Sequence, residues 1–437
     1  VIGTQARNAL HTVAAIGNPE GYLRWRAAHD GDPFRVRFPG LPPVWFTGHP
    51  DGAREIFRAP LESLEPPTPN PIAPLVGSSS LILLSGAAHQ HVRKLLGPAF
   101  HRAQIRGYAD IIAAAARAET ARWRPGGRVE VGAAARSITL RVILEAVLGV
   151  DDARRRAEYV GAVSELLNAY TGPLMFLPPL RQRFFGRSGW DRFCRARDSL
   201  NGLLDADLAQ RRPATAGRDI ASSLLAAGAA RPELRAQLVT LLIAGHETTA
   251  TAVGWALYRL HRDPLLLDRV RGELDQHVDS VQPAQLADLP LLGAVCDEAL
   301  RLHPPVPIVL RQLTEPLEVR GQRIPAGHVA GVALPLLHTD PAAWGSDAAA
   351  FNPDRFDTER ATPFEFAPFG GGHRRCIGAT LAEYEMRIVV ATILSQSRLA
   401  LPAPDRVRPI PPAVPHGIAT RSRRPLLLDV MSLQTAG

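Results

Sequence analysis

Between Phe366 and Gly378 the chain reads FAPFGGGHRRCIG, which sets one cysteine behind three consecutive glycines, a histidine and two arginines. Glycine lets the backbone curl tightly and lets its amides come close to a single atom. Cationic neighbours and a helix N-terminus both favour a thiolate, and a helix is predicted to begin at Ile377, so Cys376 is expected to have a lowered pKa. Three chemistries are open to such a thiolate. A phosphatase nucleophile wants an arginine six residues on, where Ala382 stands. A cysteine hydrolase needs a histidine placed beside the sulfur in space, which spacing alone does not test. Ligation of a metal by a single thiolate is the third, and haem iron accepts a single axial cysteine.

A second segment breaks local rules. Leu238–Leu260 reads LVTLLIAGHETTATAVGWALYRL, apolar nearly all round, as a helix crossing the interior would be. Gly245, His246, Glu247, Thr248 and Thr249 stand at its centre. Glycine there costs roughly 1 kcal/mol against alanine, and an interior carboxylate costs more unless hydrogen-bonded. A zinc-protease HExxH reading fails because position 250 is alanine. What remains is a working site in mid-helix, or a polar stripe facing a neighbouring helix.

Smaller patterns accompany these two. Glu298 and Arg301 are spaced i, i+3 and can pair on one helical face, and His89 and Arg93 share a face at i, i+4. Arg355 lies in the segment FNPDRF, Arg311 follows HPPVPIVL, and Arg374 stands two residues before the cysteine.

The elements that must position these residues are mostly helices. Apolar periodicity predicts helices over 50–58, 87–100, 102–124, 133–148, 153–169, 190–211, 220–229, 232–262, 264–277, 283–289, 291–302 and 377–397. Short strands are expected at 35–38, 44–47, 308–312, 317–319, 322–324 and 328–334, with a strand-like tail at LLLDV. Residues 59–86 read as a long loop and 211–219, RRPATAGRD, as a polar link. No linker divides the chain, so one domain over 1–437 is expected. Its β-rich parts fall at about 30–60 and 304–335, its helical body at about 86–303, and the cysteine loop at 366–378.

Composition removes other classes. The 437 residues are 46% apolar and 21% charged, enough for a sizeable core. The net charge is +8, almost all arginine; Lys94 is the only lysine, and no GK[ST] loop exists for a nucleotide phosphate. A nucleic-acid role rests on charge alone and is not expected. Three cysteines, Cys194, Cys296 and Cys376, without a CxxC pair fit a reducing compartment. No run approaches the length of a membrane span and no leader is visible, so a cytoplasmic protein without a membrane anchor is expected.

The cysteine loop, Phe369-x-x-Gly372-x-Arg374-x-Cys376-x-Gly378, resembles the haem-binding signature of the cytochrome P450 family at every defining position. Ala244-Gly245-x-Glu247-Thr248-Thr249 resembles that family's distal-helix motif, and Glu298, Arg301 and Arg355 resemble its salt-bridge cluster. The resemblance runs from about residue 30 to 430. It implies a mainly α fold, a triangular prism with a small β-rich lobe, and a haem-thiolate monooxygenase carrying haem b. Cys376 is then the axial iron ligand, and Phe369, Gly370 and Gly378 belong to its loop. Ala244 and Gly245 open space over the haem; Thr248 stabilises bound dioxygen and Glu247 relays protons. His89, Arg93, Arg311 and Arg374 contact the propionates.

The same resemblance locates a substrate pocket. Its segments supply Ile72, Leu81, Leu83, Leu174 and Phe176 from the first half of the chain. Ile243, Ala244, Val306, Ile308, Val309 and Val414 come from the second. Such a lining favours an apolar ligand of terpenoid, fatty acyl, steroid or macrolide type, oxidised by C–H hydroxylation or alkene epoxidation. With no flavin or iron–sulfur segment, electrons from NAD(P)H are expected through external partners, a ferredoxin and its reductase, docking near Arg374, Arg375 and Lys94. A monomer is expected. Arginine-rich usage suggests a bacterial source and secondary metabolism. The competing readings are a haem protein that uses peroxide or no reductive oxygen activation, and a non-catalytic haem sensor. Dependence on NAD(P)H and ferredoxin separates the first, and the Glu247–Thr248 pair speaks against the second.

Overall fold

The computed structural model describes residues 17–38, 41–211, 219–276, 282–358 and 361–433; the side chain of Phe176, residues 212–218 of the polar link and the expected helix end at His277 lie outside that set. Among the described residues there are eleven helices of at least eight residues. In chain order they are α1 (Pro19–Asp30), α2 (Pro50–Arg58), α3 (Gly86–Leu96), α4 (Ala109–Thr120), α5 (Val131–Ala146) and α6 (Ala153–Ala169). There follow α7 (Gly189–Gln210), α8 (Arg231–Leu260), α9 (Pro264–Asp275), α10 (Pro290–Leu302) and α11 (Ala379–Gln396).

Local chemistry starts several of them. Pro50 opens α2 behind His49, whose ring accepts from Asp51 N, and the Glu130 carboxylate accepts from Gly132 N and Ala133 N at the head of α5. Ser188 and Asp191 form a capping box on α7. One expected helix, 102–124, is two: a turn at Arg102–Arg106 stops at Gly107, and α4 restarts at Ala109.

The principal sheet has the order β1-β2-β8-β5-β3 and joins Phe34–Val36, Val44–Thr47, Val329–Ala333, Ile308–Leu313 and Leu64–Glu65. β2 and β8 run parallel, Val44 opposite Val329, and the other pairs are antiparallel. The β6–β7 hairpin (Leu317–Val319, Gln322–Ile324) is as expected from spacing. β structure also lies outside 30–60 and 304–335, which corrects that division. Arg128–Glu130 (β4) and Ser397–Ala400 (β9) flank Leu427–Leu433 (β12), and Ala413–His416 (β10) pairs with Ala419–Ser422 (β11). β12 overlaps the expected strand-like tail LLLDV and β10–β11 is a local hairpin, whereas β4 and β9 are each held by β12 from far along the chain, so no local alternation announces them.

α8 crosses the main core and packs most extensively on α5. A Cβ on Gly254 would lie 3.3 Å from Gly132 Cα, and one on Gly245 would lie 2.8 Å from Ile143 Cδ1. Both glycines therefore let the two helices approach closely. No helix among the described residues is long and apolar enough to cross a membrane.

Candidate active site

A mostly apolar cavity of about 440 Å³ lies between α8 and the cysteine loop. α8 supplies Thr240, Ala244, Gly245 and Thr248 to its wall, and Phe369, Gly370, Cys376 and Gly378 face it from the loop. His89, Arg93, Arg311 and Arg374 line it as well. Residues from both sequence-predicted segments, the three arginines and His89 are therefore brought together around one space, while His246, Glu247 and Gly372 are not part of the wall.

The loop is shaped by its glycines. Gly370 and Gly372 have φ of 67° and 65°, and a Cβ on Gly372 would lie 1.9 Å from the Phe57 carbonyl oxygen of α2. Only glycine fits there. Cys376 N donates to Phe369 O at 3.0 Å, which closes the loop three residues before α11 begins. The Gly378 N–H, Arg375 and Arg93 all favour the thiolate, yet desolvation is larger and holds the thiol above its ordinary value. This corrects the expected lowered pKa. Cys376 is exposed toward the cavity it borders, and the protein packed around that cavity is what desolvates the thiolate.

The loop is tied to the rest of the molecule by a buried network. Arg301 Nε and Nη2 donate to the Glu298 carboxylate at 2.5 and 2.7 Å, and Arg355 Nε donates to Glu298 Oε1 at 3.2 Å. Arg301 also donates to the carbonyls of His338, Ala348 and Ala350. His338, which sequence reasoning did not single out, carries the tie to the cysteine loop. Its Nε2 accepts from Ala367 N at 3.0 Å, so Nδ1 bears the proton and donates to Arg301 O at 3.0 Å. Burial pushes this ring down to about 3, so it stays neutral.

Three arginines and His89 crowd one side of the cavity. His89 is pushed down to about 4 by burial and by Arg374, Arg93 and Arg311, and burial lowers Arg311 to about 10. His89 Nδ1 and Arg374 Nε are buried without a hydrogen-bond partner, while Arg374 Nη2 donates to Leu84 O at 2.5 Å. Buried donors left over among like charges suit an anion with several oxygens, such as a pair of carboxylates. With one thiolate opposite a small-residue helix face, the residues present fit a haem with its propionates on these cations. Arg374 thus turns inward, which leaves Arg375 and Lys94 as the exposed cations of the expected docking face.

Glu247 sits beside the wall, buried, with Oε1 3.5 Å from His246 Nε2. Arg136 and Arg421 lower its pKa, but burial outweighs them and raises it. The Thr139 hydroxyl donates to His246 O at 3.1 Å, so His246 Nδ1–H donates back to Thr139 Oγ1, also at 3.1 Å, and Nε2 faces Glu247 as an acceptor. Burial holds that ring neutral, with a pKa of about 4. Thr248 Oγ1 donates to Ala244 O at 2.6 Å and keeps its lone pairs for a partner.

Of the predicted pocket residues, Ile72, Leu81, Ala244, Val306, Ile308 and Val309 line the cavity. Leu174 and Ile243 are buried in the core away from it, Ile243 because the wall-facing stripe of α8 passes through Leu241, Ala244 and Gly245. Ile82 holds the place expected of Leu83, and Ile418, at the tip of the β10–β11 hairpin, that expected of Val414. Sequence reasoning also missed Gln237, whose amide binds Leu81 N and Ser79 O and so pins residues 79–81 to α8. It missed Glu385 too, a cavity-lining carboxyl on α11 whose Oε1 has no partner and which burial raises well above the usual range.

The cytochrome P450 family model matches residues 10–428. The chain belongs to the cytochrome P450 family. It is 33% identical over 425 residues to the putative cytochrome P450 135A1 of Mycobacterium tuberculosis, covering 92% of this chain and 91% of that one. Against the putative cytochrome P450 135B1 of the same species it is 37% identical over 347 residues, covering 77% and 72%. Cyclooctatin synthase of Streptomyces melanosporofaciens is 31% identical over 428 residues, covering 92% and 90%. The structure of retinoic acid-bound cyanobacterial CYP120A1 superposes with a TM-score of 0.80 at 24% identity over 94% of each chain, a likeness of fold. The mainly α fold with small sheets is thus that of the family, and this P450 is a haem-dependent monooxygenase and oxidoreductase.

Proposed function

We propose that this P450, acting as one domain and a monomer, inserts one oxygen atom from dioxygen into a C–H bond or alkene of an apolar small molecule. The observation that carries this reading is the mostly apolar cavity that holds Cys376, three arginines, His89 and the Ala244, Gly245 and Thr248 face of α8 together. Haem b, held on the Cys376 thiolate, supplies the reductive activation of dioxygen. The Gly378 N–H donates toward the sulfur and tempers its basicity. His89, Arg93, Arg311 and Arg374 bind the propionates, while Phe369 and Gly370 shape the loop. Thr248 hydrogen-bonds in the space above Ala244 and Gly245, and Glu247, whose carboxyl burial shifts toward the protonated form, relays a proton toward Thr248. Glu298, Arg301 and Arg355 hold the fold around the loop.

Ile72, Leu81, Val306, Ile308 and Val309 orient the substrate and exclude water. That apolar wall favours a terpenoid, fatty acyl, steroid or macrolide ligand. Similarity to an enzyme named cyclooctatin synthase supports biosynthesis of a secondary metabolite as the setting. Electrons come from NAD(P)H through a ferredoxin and its reductase, with Arg375 and Lys94 as the cationic docking face.

The test is a titration of the ferric protein with representatives of the four ligand classes, followed at the haem Soret band. A low-to-high-spin shift with one class, and NAD(P)H- and ferredoxin-dependent product from it, is expected. Turnover that proceeds with peroxide alone, and never with the reductive partners, would overturn the reading.

A further inference from the structure

The cavity-facing stripe of α8 carries two polar residues, Gln237 and Thr240, on the same face as Leu241, Ala244 and Thr248. Both are buried, and both bond to the segment 79–82. Gln237 Nε2 donates to Ser79 O at 2.6 Å, and its Oε1 accepts from Leu81 N at 3.0 Å. A carboxamide has two N–H donors, so one remains. Thr240 Oγ1 lies 2.8 Å from both Ala236 O and Ser80 Oγ, but a hydroxyl has a single proton. Ala236 O can only accept, so it takes the Thr240 proton. Ser80 Oγ accepts from Ile82 N at 3.3 Å and gives its own proton to Thr240. One lone pair of Thr240 is left over. The two side chains thus keep one spare donor and one spare acceptor, three residues apart on a cavity wall.

The surroundings of this pair carry no charge. Every cavity-lining residue contributed by α8 and by residues 72–82 is uncharged, and Ile72, Leu81, Ile82 and Leu241 make that part of the wall apolar. The three arginines and His89 come from α3, β5 and the cysteine loop, where the propionates claim them. A ligand carboxylate brought to Gln237 and Thr240 would lose its hydration without gaining a cation. A plain hydrocarbon would leave the spare donor and acceptor unmet. A hydroxyl donates one hydrogen bond and accepts one, which matches both. We infer that Gln237 and Thr240 form a hydroxyl-recognition site, so that the substrate is an apolar alcohol of terpenoid or sterol type held by its hydroxyl. This rests on the monooxygenase reading above and narrows its ligand classes, setting the fatty acids aside. Thr248 lies eight residues beyond Thr240, about 12 Å along the helix axis. The oxidised carbon is therefore at the end of the molecule remote from the hydroxyl.

The experiment titrates the ferric haem-loaded protein with farnesol, farnesene and farnesoic acid, and with the matching geranylgeranyl alcohol, hydrocarbon and acid, at the Soret band. At least one alcohol is expected to bind about tenfold or more tighter than its hydrocarbon, as two net hydrogen bonds allow, and tighter than its acid. Thr240→Val keeps the side-chain shape and removes the acceptor, so the alcohol-to-hydrocarbon ratio falls by about threefold or more, while Thr240→Ser retains it. The carbonyl spectrum of both variants stays that of the parent and shows that they fold. Mass spectrometry of the product should place the new oxygen on the half of the chain away from the hydroxyl. In a parent with the thiolate carbonyl band, equal affinity for alcohol and hydrocarbon, tightest binding of the acid, or no response to either alcohol overturns the inference. So does a ratio unchanged by Thr240→Val, or oxidation beside the hydroxyl. A parent without that band overturns the haem reading itself.

Discussion

Arg301→Met is expected to lower the melting temperature by about 5 °C, and the number follows from what the guanidinium touches. Its side chain is fully buried and makes two hydrogen bonds to Glu298 and three to the carbonyls of His338, Ala348 and Ala350. Removing one partner of a buried ion pair costs about 3–5 kcal/mol, and each buried carbonyl left without a donor adds roughly 1 kcal/mol or more. Arg355 at 3.2 Å and Asn352 N at 2.8 Å still face Glu298 and offset part of this, which leaves about 5 kcal/mol. Unfolding entropy of about 2.1 cal/mol/K per residue gives about 0.9 kcal/mol/K for this chain, hence the 5 °C. Glu298→Gln should be similarly harmful, because two buried guanidiniums lose their counter-charge. Glu298→Gln with Arg301→Met should lose less than the two single changes added, by at least about 2 kcal/mol of coupling. Thermal unfolding followed by circular dichroism reads all three. A melting point for Arg301→Met within about 1 °C of the parent, or strictly additive changes in the pair, would refute the reasoning.

Gly372→Ala should abolish haem incorporation, since its Cβ would meet the Phe57 carbonyl oxygen at 1.9 Å. Gly370→Ala, with Val309 methyls no nearer than 3.7 Å, should lose only the roughly 1–2 kcal/mol of left-handed backbone strain; haem content and urea unfolding distinguish the two. Acid should destabilise the fold through His338, whose folded pKa of about 3 lies below its unfolded value of about 6.5. The unfolded chain binds that proton first, so the contribution is whole above pH about 6.5. It falls by about 1.4 kcal/mol per pH unit as pH drops toward 3. Denaturant unfolding at several pH values should therefore show a slope smaller by about one proton in His338→Gln, and an unchanged slope would contradict the assignment. Glu247→Gln should reduce turnover about 10²-fold with substrate affinity unchanged. His246→Phe should move the acid limb of the pH–rate profile, because the ring facing Glu247 at 3.5 Å is gone.

Helices were legible where a cap and a 3.6-residue pattern coincide: Pro50–Arg58 and Ala153–Ala169 have the bounds that spacing predicts. The break at Gly107 was hidden because apolar residues continue on both sides of it. β4 and β9 were illegible because each is fixed by β12, and three or four residues carry too little pattern. In the site, the cysteine loop announces itself through residues adjacent in sequence. Gln237, His338 and Glu385 do not, since their importance lies in burial and in partners far along the chain. The direction of the Cys376 pKa was missed for the same reason: charge neighbours can be read in sequence, and desolvation cannot.

The most direct test of the central claim is the carbonyl spectrum of the dithionite-reduced protein, taken for the parent and for Cys376→Ala. The account predicts the red-shifted Soret band of thiolate ligation in the parent and its loss in the variant. A parent without that band, or a variant that retains it, would contradict the assignment of Cys376 as the haem ligand.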